Sequence, residues 1–402
     1  MGFEINFDTK IQIQIENCNF KEITIQFLFV LRSIFESYVS KILDHYFTTY
    51  YESGELAQIL KVKKVLKKSD KNKTKFKTIF GVIRVPQIQV RVVDFQGKKY
   101  QMTITRQLLG VSRKFQIPDF MKEIIGWIGS VTTYRVGLEI IKVLTNFKCS
   151  LMSLWNSVQF SAPKIRLNLS DIGTNEFEAD GTGIPTKGTG KRGSELKKVF
   201  QRKTDGKLQL IGLSIGKYKD IENWNIALKA PIVEGLMKFK TVVLASDGDL
   251  SITGTAKKIS EYVKIQKDKW HVFYQMKYYL WLDKVVKEVK NEVISSFYKL
   301  TMLSKSSIEE RTNFIKEYIN SLKNKGYKHT ATYLESAIDG FYTHESEGNK
   351  NVYTSQTERS MRTTNQRINV GVWSETGAFN VAKIRLSHYY NDINPLSWKN
   401  VI

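Results

Sequence analysis

Two shortages in the sequence narrow the kinds of protein that it can encode. Only two of the 402 residues are cysteines, Cys18 and Cys149, and one distant pair without metal-like spacing is little evidence for a disulfide framework. Long apolar runs are missing too, since the stretch 27–31 is bounded by Gln26 and Arg32 and is too short to span a bilayer. We therefore expect no secretory or membrane segment, and a reducing, cytoplasmic setting.

Acidic residues are scarce relative to basic ones. The chain has 62 Lys and Arg against 39 Asp and Glu, a formal net charge of +23. Such an excess repels itself in a compact state unless an anion neutralises it, so nucleic acid is the leading partner, with ribosome-like or membrane-surface binding left open. With 42% hydrophobic residues the chain can bury a large core, divided among two to four domains.

The first part of the sequence predicts a long helix and a β-hairpin. Apolar residues three to four apart predict a helix over 22–51, whose apolar face forms either a core or a dimer seam. The lysine-rich run 61–77 is interpreted as a solvated linker or as an arm that follows phosphates. Alternation with a period of two predicts strands over 79–93 and 99–104.

Helical segments over 120–129, 134–144 and 150–159 follow. The last begins at Ser150, a good N-cap residue, and carries small polar side chains. This arrangement has the form of a helix-turn-helix, although many helical hairpins look the same. Its candidate DNA-contacting residues are Ser150, Ser153 and Asn156.

Two predicted strands of the second half each end in an acid. Residues 175–180 alternate acidic and apolar positions up to Asp180, and the glycines that follow allow backbone or substrate to approach that carboxylate. The run 240–246 has four consecutive apolar residues, as a strand buried on both faces requires, and it leads to Asp247 and Asp249. A basic loop lies between the two, and its candidate DNA contacts are Lys187, Lys191 and Arg192.

The sequence next predicts a strand over 265–272 and a helical block over 273–351, in which Ser307 is a good N-cap for a helix over 307–323. It also predicts a helix capped by Ser355 or Thr357. That helix places Glu358 and Arg362 four residues apart, which by itself indicates no more than an ion pair. Aromatic residues at the start of the helical block could stack on bases, but packing in a core is the simpler interpretation. They are Trp270, Tyr278, Tyr279 and Trp281.

Two strand-end aspartates and a helical glutamate match the needs of a two-metal site. Carboxylates prefer hard cations such as Mg²⁺ or Mn²⁺, and two such ions activate a hydroxyl and stabilise the leaving oxygen of a phosphodiester. The candidate catalytic and metal-holding residues are therefore Asp180, Asp247 and Glu358. Asp249 is an alternative to Asp247.

Four motifs in this order carry a resemblance to a known family: Glu178-Ala-Asp-Gly-Thr-Gly, Ala245-Ser-Asp-Gly-Asp, Asp268-Lys-Trp-His, and Glu358-Arg-Ser-Met-Arg-Thr-Thr-Asn-Gln-Arg followed by Trp-Ser. The sequence resembles prokaryotic insertion-sequence transposases of the DDE type, near the mutator-like branch, over roughly residues 78–391. The resemblance implies a ribonuclease H-like core with an all-helical insertion. It also implies that Asp268 and His271 form an accessory pair near the DNA ends.

The expected fold is α/β, with a ribonuclease H-like mixed sheet flanked by helices and an amino-terminal DNA-binding region. The expected domains are an N-terminal helical region that could dimerise (1–70), a β-hairpin unit (71–110), a helix-turn-helix-like domain (111–165), a catalytic core (172–273 and 352–372), a helical insertion (274–351) and a C-terminal helix (373–402).

The expected function is a transposase that binds the ends of a DNA element and cleaves and transfers strands with two Mg²⁺ or Mn²⁺ ions. Its partners would be double-stranded DNA, both terminal inverted repeats and target, and a second copy of the chain in a dimer or larger assembly; no membrane is expected, and the setting would be the prokaryotic nucleoid. Arginines on the helix of Glu358 would position phosphates: Arg359, Arg362 and Arg367. Alternatives are a DNA nuclease on the same core and an inactive DNA-binding derivative.

Overall fold

The structure of the chain, a computed structural model, describes residues 20–109, 111, 117–145, 147–187, 193–301, 306–349 and 355–393. It confirms the mixed α/β class. The chain divides into two compact units, one ending at Ser161 and the other beginning at Ala162. Within the described residues no helix is both long and apolar enough to cross a lipid bilayer.

The first unit contains a three-stranded antiparallel sheet, in the order β1-β2-β3, with helices before and after it in the sequence. Its elements are α1 (Phe20–Glu52), α2 (Glu55–Ile59), β1 (Lys64–Thr78), β2 (Gly81–Val93), β3 (Lys99–Thr103), α3 (Thr105–Leu108), α4 (Asp119–Val131), α5 (Tyr134–Leu144) and α6 (Leu151–Ser161).

The lysine-rich run 61–77 is mostly strand β1, so its interpretation as a solvated linker was wrong, whereas contact of its lysines with phosphates stays a prediction. β1 pairs with β2 along almost its whole length, from Lys64 opposite Val93 to Thr78 opposite Gly81. Lys64, Lys73 and Lys75 of β1 are exposed, and such charged positions hide the alternation from a search for apolar residues. The domain boundary expected at residue 70 therefore falls inside a strand.

The long helix expected over 22–51 is confirmed as α1, and its apolar face has two parts. Leu43 and Phe47 are buried against the sheet. Ile25, Phe27 and Phe29, one to three turns from the start of α1, are about half exposed or more. The second half of the face thus forms core, whereas these three side chains of the first half stay exposed among the described residues, and a dimer seam there stays a prediction.

The three helices expected before residue 160 are confirmed as α4, α5 and α6. α4 and α6 approach closely at Gly126, where an added Cβ would lie 2.7 Å from Ser161 Oγ. Ser150 caps α6, since its hydroxyl accepts the backbone N–H of Ser153 at 3.2 Å. Leu154 is buried in the core of this bundle.

The second unit is built on a five-stranded mixed sheet flanked by helices. Its elements are a 3₁₀ turn (Ala162–Lys164), β4 (Glu176–Ile184), β5 (Ser194–Arg202), β6 (Leu208–Gly216), α7 (Ile221–Lys238), β7 (Val242–Ser246), α8 (Leu250–Ile259), β8 (Val263–Lys267), α9 (Lys269–Leu282), α10 (Lys287–Thr301), α11 (Ile308–Asn324), α12 (Lys328–Ile338), α13 (Thr343–Ser346), α14 (Ser355–Ile368) and α15 (Glu375–Asn391).

The strand order is β6-β5-β4-β7-β8, in which β5 is antiparallel to both of its neighbours, β4 and β6, and β4, β7 and β8 are parallel. α7 and α8 cover one face through a core that includes Phe177 and Trp224. α15 covers the other, where the ring of Tyr390 meets the ring of Phe200 edge-on and Asn391 Oδ1 accepts the backbone N–H of Leu210 at 2.9 Å.

Strand β5 was missed in the sequence, because residues 194–198 look like the end of a basic loop. Its two adjacent lysines are fully buried instead. Lys197 Nζ lies 2.6 Å from Glu195 Oε2 and donates to the carbonyl of Lys217 at 2.9 Å, so its charge is compensated. The glycines of β4 fit this neighbour, since a Cβ on Gly181 would lie 2.3 Å from Glu195 Oε1.

Between β8 and α14 the described residues contain helices and no strand. These helices have a core of their own, which includes Phe297, Ile315 and Leu334. The predicted cap of α11 is confirmed, because Ser307 and Glu310 form a reciprocal capping box. The strand expected over 265–272 ends at Lys267, and Trp270 and His271 lie on helix α9.

Candidate active site

Asp180 lies within β4 and not at its end, contrary to the sequence-based expectation. The strand continues through Gly181 and Gly183 to Ile184, paired with β5. The parallel pairing of β4 with β7, however, stops at Glu178 opposite Ala245. Asp180 therefore stands just beyond the parallel part of the sheet.

Asp247 comes directly after β7, as predicted. It follows Ala245 by two residues, just as Asp180 follows Glu178, so the two aspartates stand at the same level of adjacent parallel strands. Side chains at matching positions of neighbouring strands point to the same face. The sheet thus brings the first two predicted carboxylates together at one edge.

Both carboxylates have raised pKa values. Burial raises the pKa of Asp180 to about 6; the Asp247 carboxylate adds to the rise, and the Lys198 ammonium opposes it. Asp247 keeps access to solvent, but partial desolvation of its carboxylate still raises its pKa. A bound cation would relieve both effects, so the pair is suited to hold one.

The carboxylate of Asp249, the alternative to Asp247, makes structural contacts with both of its oxygens. Its Oδ1 accepts the backbone N–H of Ser251 at 2.7 Å and caps α8, and its Oδ2 lies 3.0 Å from Lys219 Nζ. Burial raises the pKa of Asp249, but these contacts outweigh it and the net shift is downward. The backbone N–H of Asp249 also donates to Asp247 Oδ1 at 2.8 Å, which orients that carboxylate.

The accessory pair Asp268 and His271 lies beside these acids. The backbone N–H of Asp268 donates to the carbonyl of Ser246, next to Asp247, at 2.9 Å. Asp268 caps α9 by accepting the N–H of Trp270, and its second oxygen lies 2.7 Å from His271 Nδ1. That hydrogen bond, with the charges of Asp268, Asp247 and Asp180, raises the pKa of His271 to about 9 against opposing burial. The imidazole therefore carries a positive charge at neutral pH.

This shift predicts a pH-dependent contribution to stability. Because the folded pKa of about 9 exceeds the ordinary 6.5, the stabilisation by His271 is complete below about pH 6.5 and is lost as pH rises through 9. We expect His271→Gln to lower the melting temperature at pH 6 and to approach the wild type at pH 10, in thermal scans with EDTA. His329→Gln, which changes an exposed histidine, is the control. A gap that stays constant from pH 6 to 10 would contradict the assigned charge.

Lys198 is a site residue that the sequence did not reveal. It stands directly opposite Asp180 on β5, is fully buried, and donates from Nζ to Ser360 Oγ on α14 at 2.9 Å. Burial lowers the pKa of Lys198 to about 8, while the Asp180 carboxylate opposes this shift. Two adjacent lysines normally indicate solvent exposure, so no local signal pointed to this role.

Helix α14, which carries Glu358, is held against β4, the strand that carries Asp180. Ser360 and Thr364 are fully buried, and Arg385 Nη2 on α15 donates to Gln366 Oε1 at 3.0 Å. After α14, the backbone N–H of Trp373 donates to the carbonyl of Pro185 at 3.1 Å. The side chain of Glu358 lies outside the described part of the structure, so its approach to the aspartates stays a prediction.

The arginines of α14 occupy different environments. Arg359 and Arg362 are exposed, as a contact to phosphates requires. Arg367 is buried, and its guanidinium lies over the Trp373 ring, 4.6 Å from the centroid. The expectation that Arg367 contacts DNA is therefore corrected, because its position makes it an anchor for the end of the helix.

The other predicted DNA contacts are only partly described. Lys187 donates its backbone N–H to the carbonyl of Trp373 at 2.8 Å, while Lys191 and Arg192 lie outside the described residues. In the first unit Ser150 is exposed, whereas Ser153 and Asn156 are half-buried. The most exposed side chains of α6 are apolar: Leu151, Met152 and Trp155.

A cavity of about 760 Å³, lined by several aromatic side chains, lies beside the pair Asp180 and Asp247. His271 is part of its wall. Trp270 and Tyr274 line it and are largely exposed, and Tyr298 lies opposite on α10. Tyr278 and Trp281, further along α9, are exposed as well. Core packing was the simpler interpretation of these aromatics, and for Trp270, Tyr278 and Trp281 it was wrong.

Among the side chains that the structure describes, no three His, Cys, Asp or Glu residues form a group that could hold a metal ion. The pair Asp180 and Asp247 supplies two of the three predicted ligands, and the third lies beyond the described side chains. Comparisons of the sequence with models of known protein families and with curated proteins found no match.

Proposed function

We propose that the chain is a DDE-type DNA transposase that cleaves and transfers DNA strands. One observation carries the proposal, which is that Asp180 and Asp247 stand at the same level of adjacent parallel strands and that both have raised pKa values. Crowded carboxylates at a sheet edge are suited to hold hard cations, and a protein with a net charge of +23 attracts nucleic acid.

The fold supports this proposal. A five-stranded mixed sheet covered by helices on both faces, with a separate all-helical block before α14, is the architecture expected of a ribonuclease H-like core with its insertion. The helix that carries Glu358 contacts β5, the neighbour of the strand that carries Asp180, through the hydrogen bond from Lys198 to Ser360. Such an arrangement is compatible with a third carboxylate at the same edge.

In the proposed site Asp180, Asp247 and Glu358 would hold two Mg²⁺ or Mn²⁺ ions. These ions, when bound, supply activation of the attacking hydroxyl and charge stabilisation at the leaving oxygen. The Asp249 backbone orients Asp247, and Lys198 keeps a cation next to Asp180. Protonated His271 places positive charge where a phosphate would approach the acids.

Contacts to DNA outside the acidic site are also part of the proposal. Arg359 and Arg362 are exposed on α14 and would position phosphates. Exposed aromatic rings beside the acids, such as Trp270, offer faces on which bases can stack. In the first unit, a helix-turn-helix made of α4 to α6 would read the element ends.

Pairing of two element ends requires at least a dimer on DNA. The uncovered first half of α1, with Phe27 and Phe29, is the surface we propose for it.

The experiment that tests the function uses labelled duplexes from the DNA on either side of the gene. With Mg²⁺ the protein should nick strands at inverted repeats and join the freed ends to a target duplex, and EDTA should abolish both reactions. Cleavage without joining would indicate a nuclease on the same core. Binding without cleavage would indicate an inactive DNA-binding derivative.

A further inference from the structure

A basic groove in the first unit has no role in the chemistry described above. It is a cavity of about 900 Å³ between helix α1 and the two-stranded ribbon formed by β1 and β2. The charged residues that line it are four cations and one acid: Arg32, Lys73, Lys75, Arg84 and Glu36. Hydroxyl groups of α1 complete the wall: Ser33, Ser37 and Ser40.

The ribbon holds two of these cations side by side. Lys75 and Arg84 are direct partners in the antiparallel register, and both are exposed. Directly opposite residues have Cβ atoms about 5 Å apart, and like charges in this position are destabilising. Lys73 lies on the same face of β1, two residues before Lys75, and is diagonal to Arg84. The isolated protein thus holds a cluster of like charges that costs stability.

The acid nearby does not neutralise the cluster. Within the described residues, none of Lys73, Lys75 and Arg84 forms an ion pair, and Glu36 forms none either. An anion that enters the groove would meet cations on the strand side and the hydroxyls of Ser33 and Ser37 on the helix side, whereas Ser40 Oγ donates to the carbonyl of Glu36 at 2.8 Å. Cations spread over two strands and a helix suit an extended polyanion better than a single phosphate.

From this arrangement we infer that the groove between α1 and the β1–β2 ribbon binds the phosphate backbone of duplex DNA. The choice of DNA rests on the proposed function, whereas the anionic class of the ligand rests on the groove itself. Backbone contacts carry no sequence information, so the groove holds any duplex and leaves the reading of bases to other elements.

The test measures binding of the full-length protein to a random-sequence 30-base-pair duplex at several salt concentrations, with EDTA present. Lys75→Ala and Arg84→Ala should each weaken binding roughly five-fold near physiological salt and reduce the slope of log affinity against log salt by about one. Lys99→Ala is the matched control, since Lys99 is an exposed cation of the same sheet outside the groove. It should bind like the wild type.

A second variant separates loss of binding from loss of folding. Arg84→Glu places an acid opposite Lys75, so we expect an unchanged or higher melting temperature without DNA together with weaker DNA binding. If the groove variants bind DNA with the wild-type affinity and the wild-type salt slope, the inference is overturned. That result would not affect the proposed function, which rests on cleavage by the wild type.

Loss of binding in the groove variants, with no metal-dependent cleavage by the wild type, would support the groove and contradict the transposase. Tighter binding of an RNA duplex than of the DNA duplex of the same sequence would overturn the choice of DNA. Failure of the wild type to bind any duplex would overturn both proposals.

Discussion

Replacing Asp180 or Asp247 with Asn is expected to abolish metal-dependent strand cleavage, with a loss of about a thousand-fold or more. Each substitution removes a charged oxygen from the pair at the sheet edge, which weakens or misplaces a bound cation. Duplex affinity should stay within about two-fold, because it comes from cationic contacts elsewhere. Cleavage and binding are measured on the same labelled duplex, and Glu358→Gln should behave like the two aspartate variants.

Asp249→Asn is the control for this experiment. Asp249 caps α8 and contacts Lys219, so its substitution should cost about 1 kcal/mol of stability and leave cleavage measurable. Loss of cleavage in Asp249→Asn together with full cleavage in Asp247→Asn would show that the second ligand is Asp249. Substantial cleavage by any one of the three carboxylate variants would remove that residue from the site.

The largest loss of stability is expected from Lys198→Met. This change leaves the Asp180 carboxylate without its buried cation and Ser360 Oγ without its donor, which together should cost about 3 kcal/mol at pH 7, where Lys198 is mostly charged. At pH 5 the cost should be smaller, because Asp180, with a pKa of about 6, is then mostly protonated and needs no cation. Urea unfolding at both pH values, with EDTA, gives the two free energies.

Two further variants make the Lys198 result specific. The double variant Lys198→Met with Asp180→Asn should be more stable at pH 7 than Lys198→Met alone, since the uncompensated charge is gone. Lys207→Met removes an exposed lysine of the same sheet region and should change stability by less than about 0.5 kcal/mol. A cost of Lys198→Met that is the same at pH 5 and pH 7 would contradict its electrostatic interaction with Asp180.

Several elements could be predicted because their signals are local. The four apolar residues before Asp247 predicted β7, and all five residues of β7 are buried, as a central parallel strand requires. Helix α11 could be located from Ser307, whose capping box is a contact between residues three apart. The placement of Asp180 and Asp247 at one edge followed from the same reasoning, since each acid lies just beyond a parallel-paired strand segment.

The elements that were missed depend on contacts between distant residues. Lys197 and Lys198 look solvated, but in the core Glu195 compensates the charge of Lys197, and the remote Ser360 accepts a hydrogen bond from Lys198. The strand β1 looks like a linker because only its partner β2 reveals the pairing. His271 was placed on a strand, since the cap that starts α9 at Asp268 can be recognised only once the strand is known to end at Lys267.

The central claim is that Asp180 and Asp247 hold catalytic cations, and a Mn²⁺ titration followed by electron paramagnetic resonance tests it most directly. At pH 7.5 with duplex DNA present, the wild type should bind two Mn²⁺ ions per chain, and Asp180→Asn should lose at least one of them. Asp249→Asn should retain both. Equal Mn²⁺ binding by the wild type and Asp180→Asn, or none by the wild type, would contradict the claim.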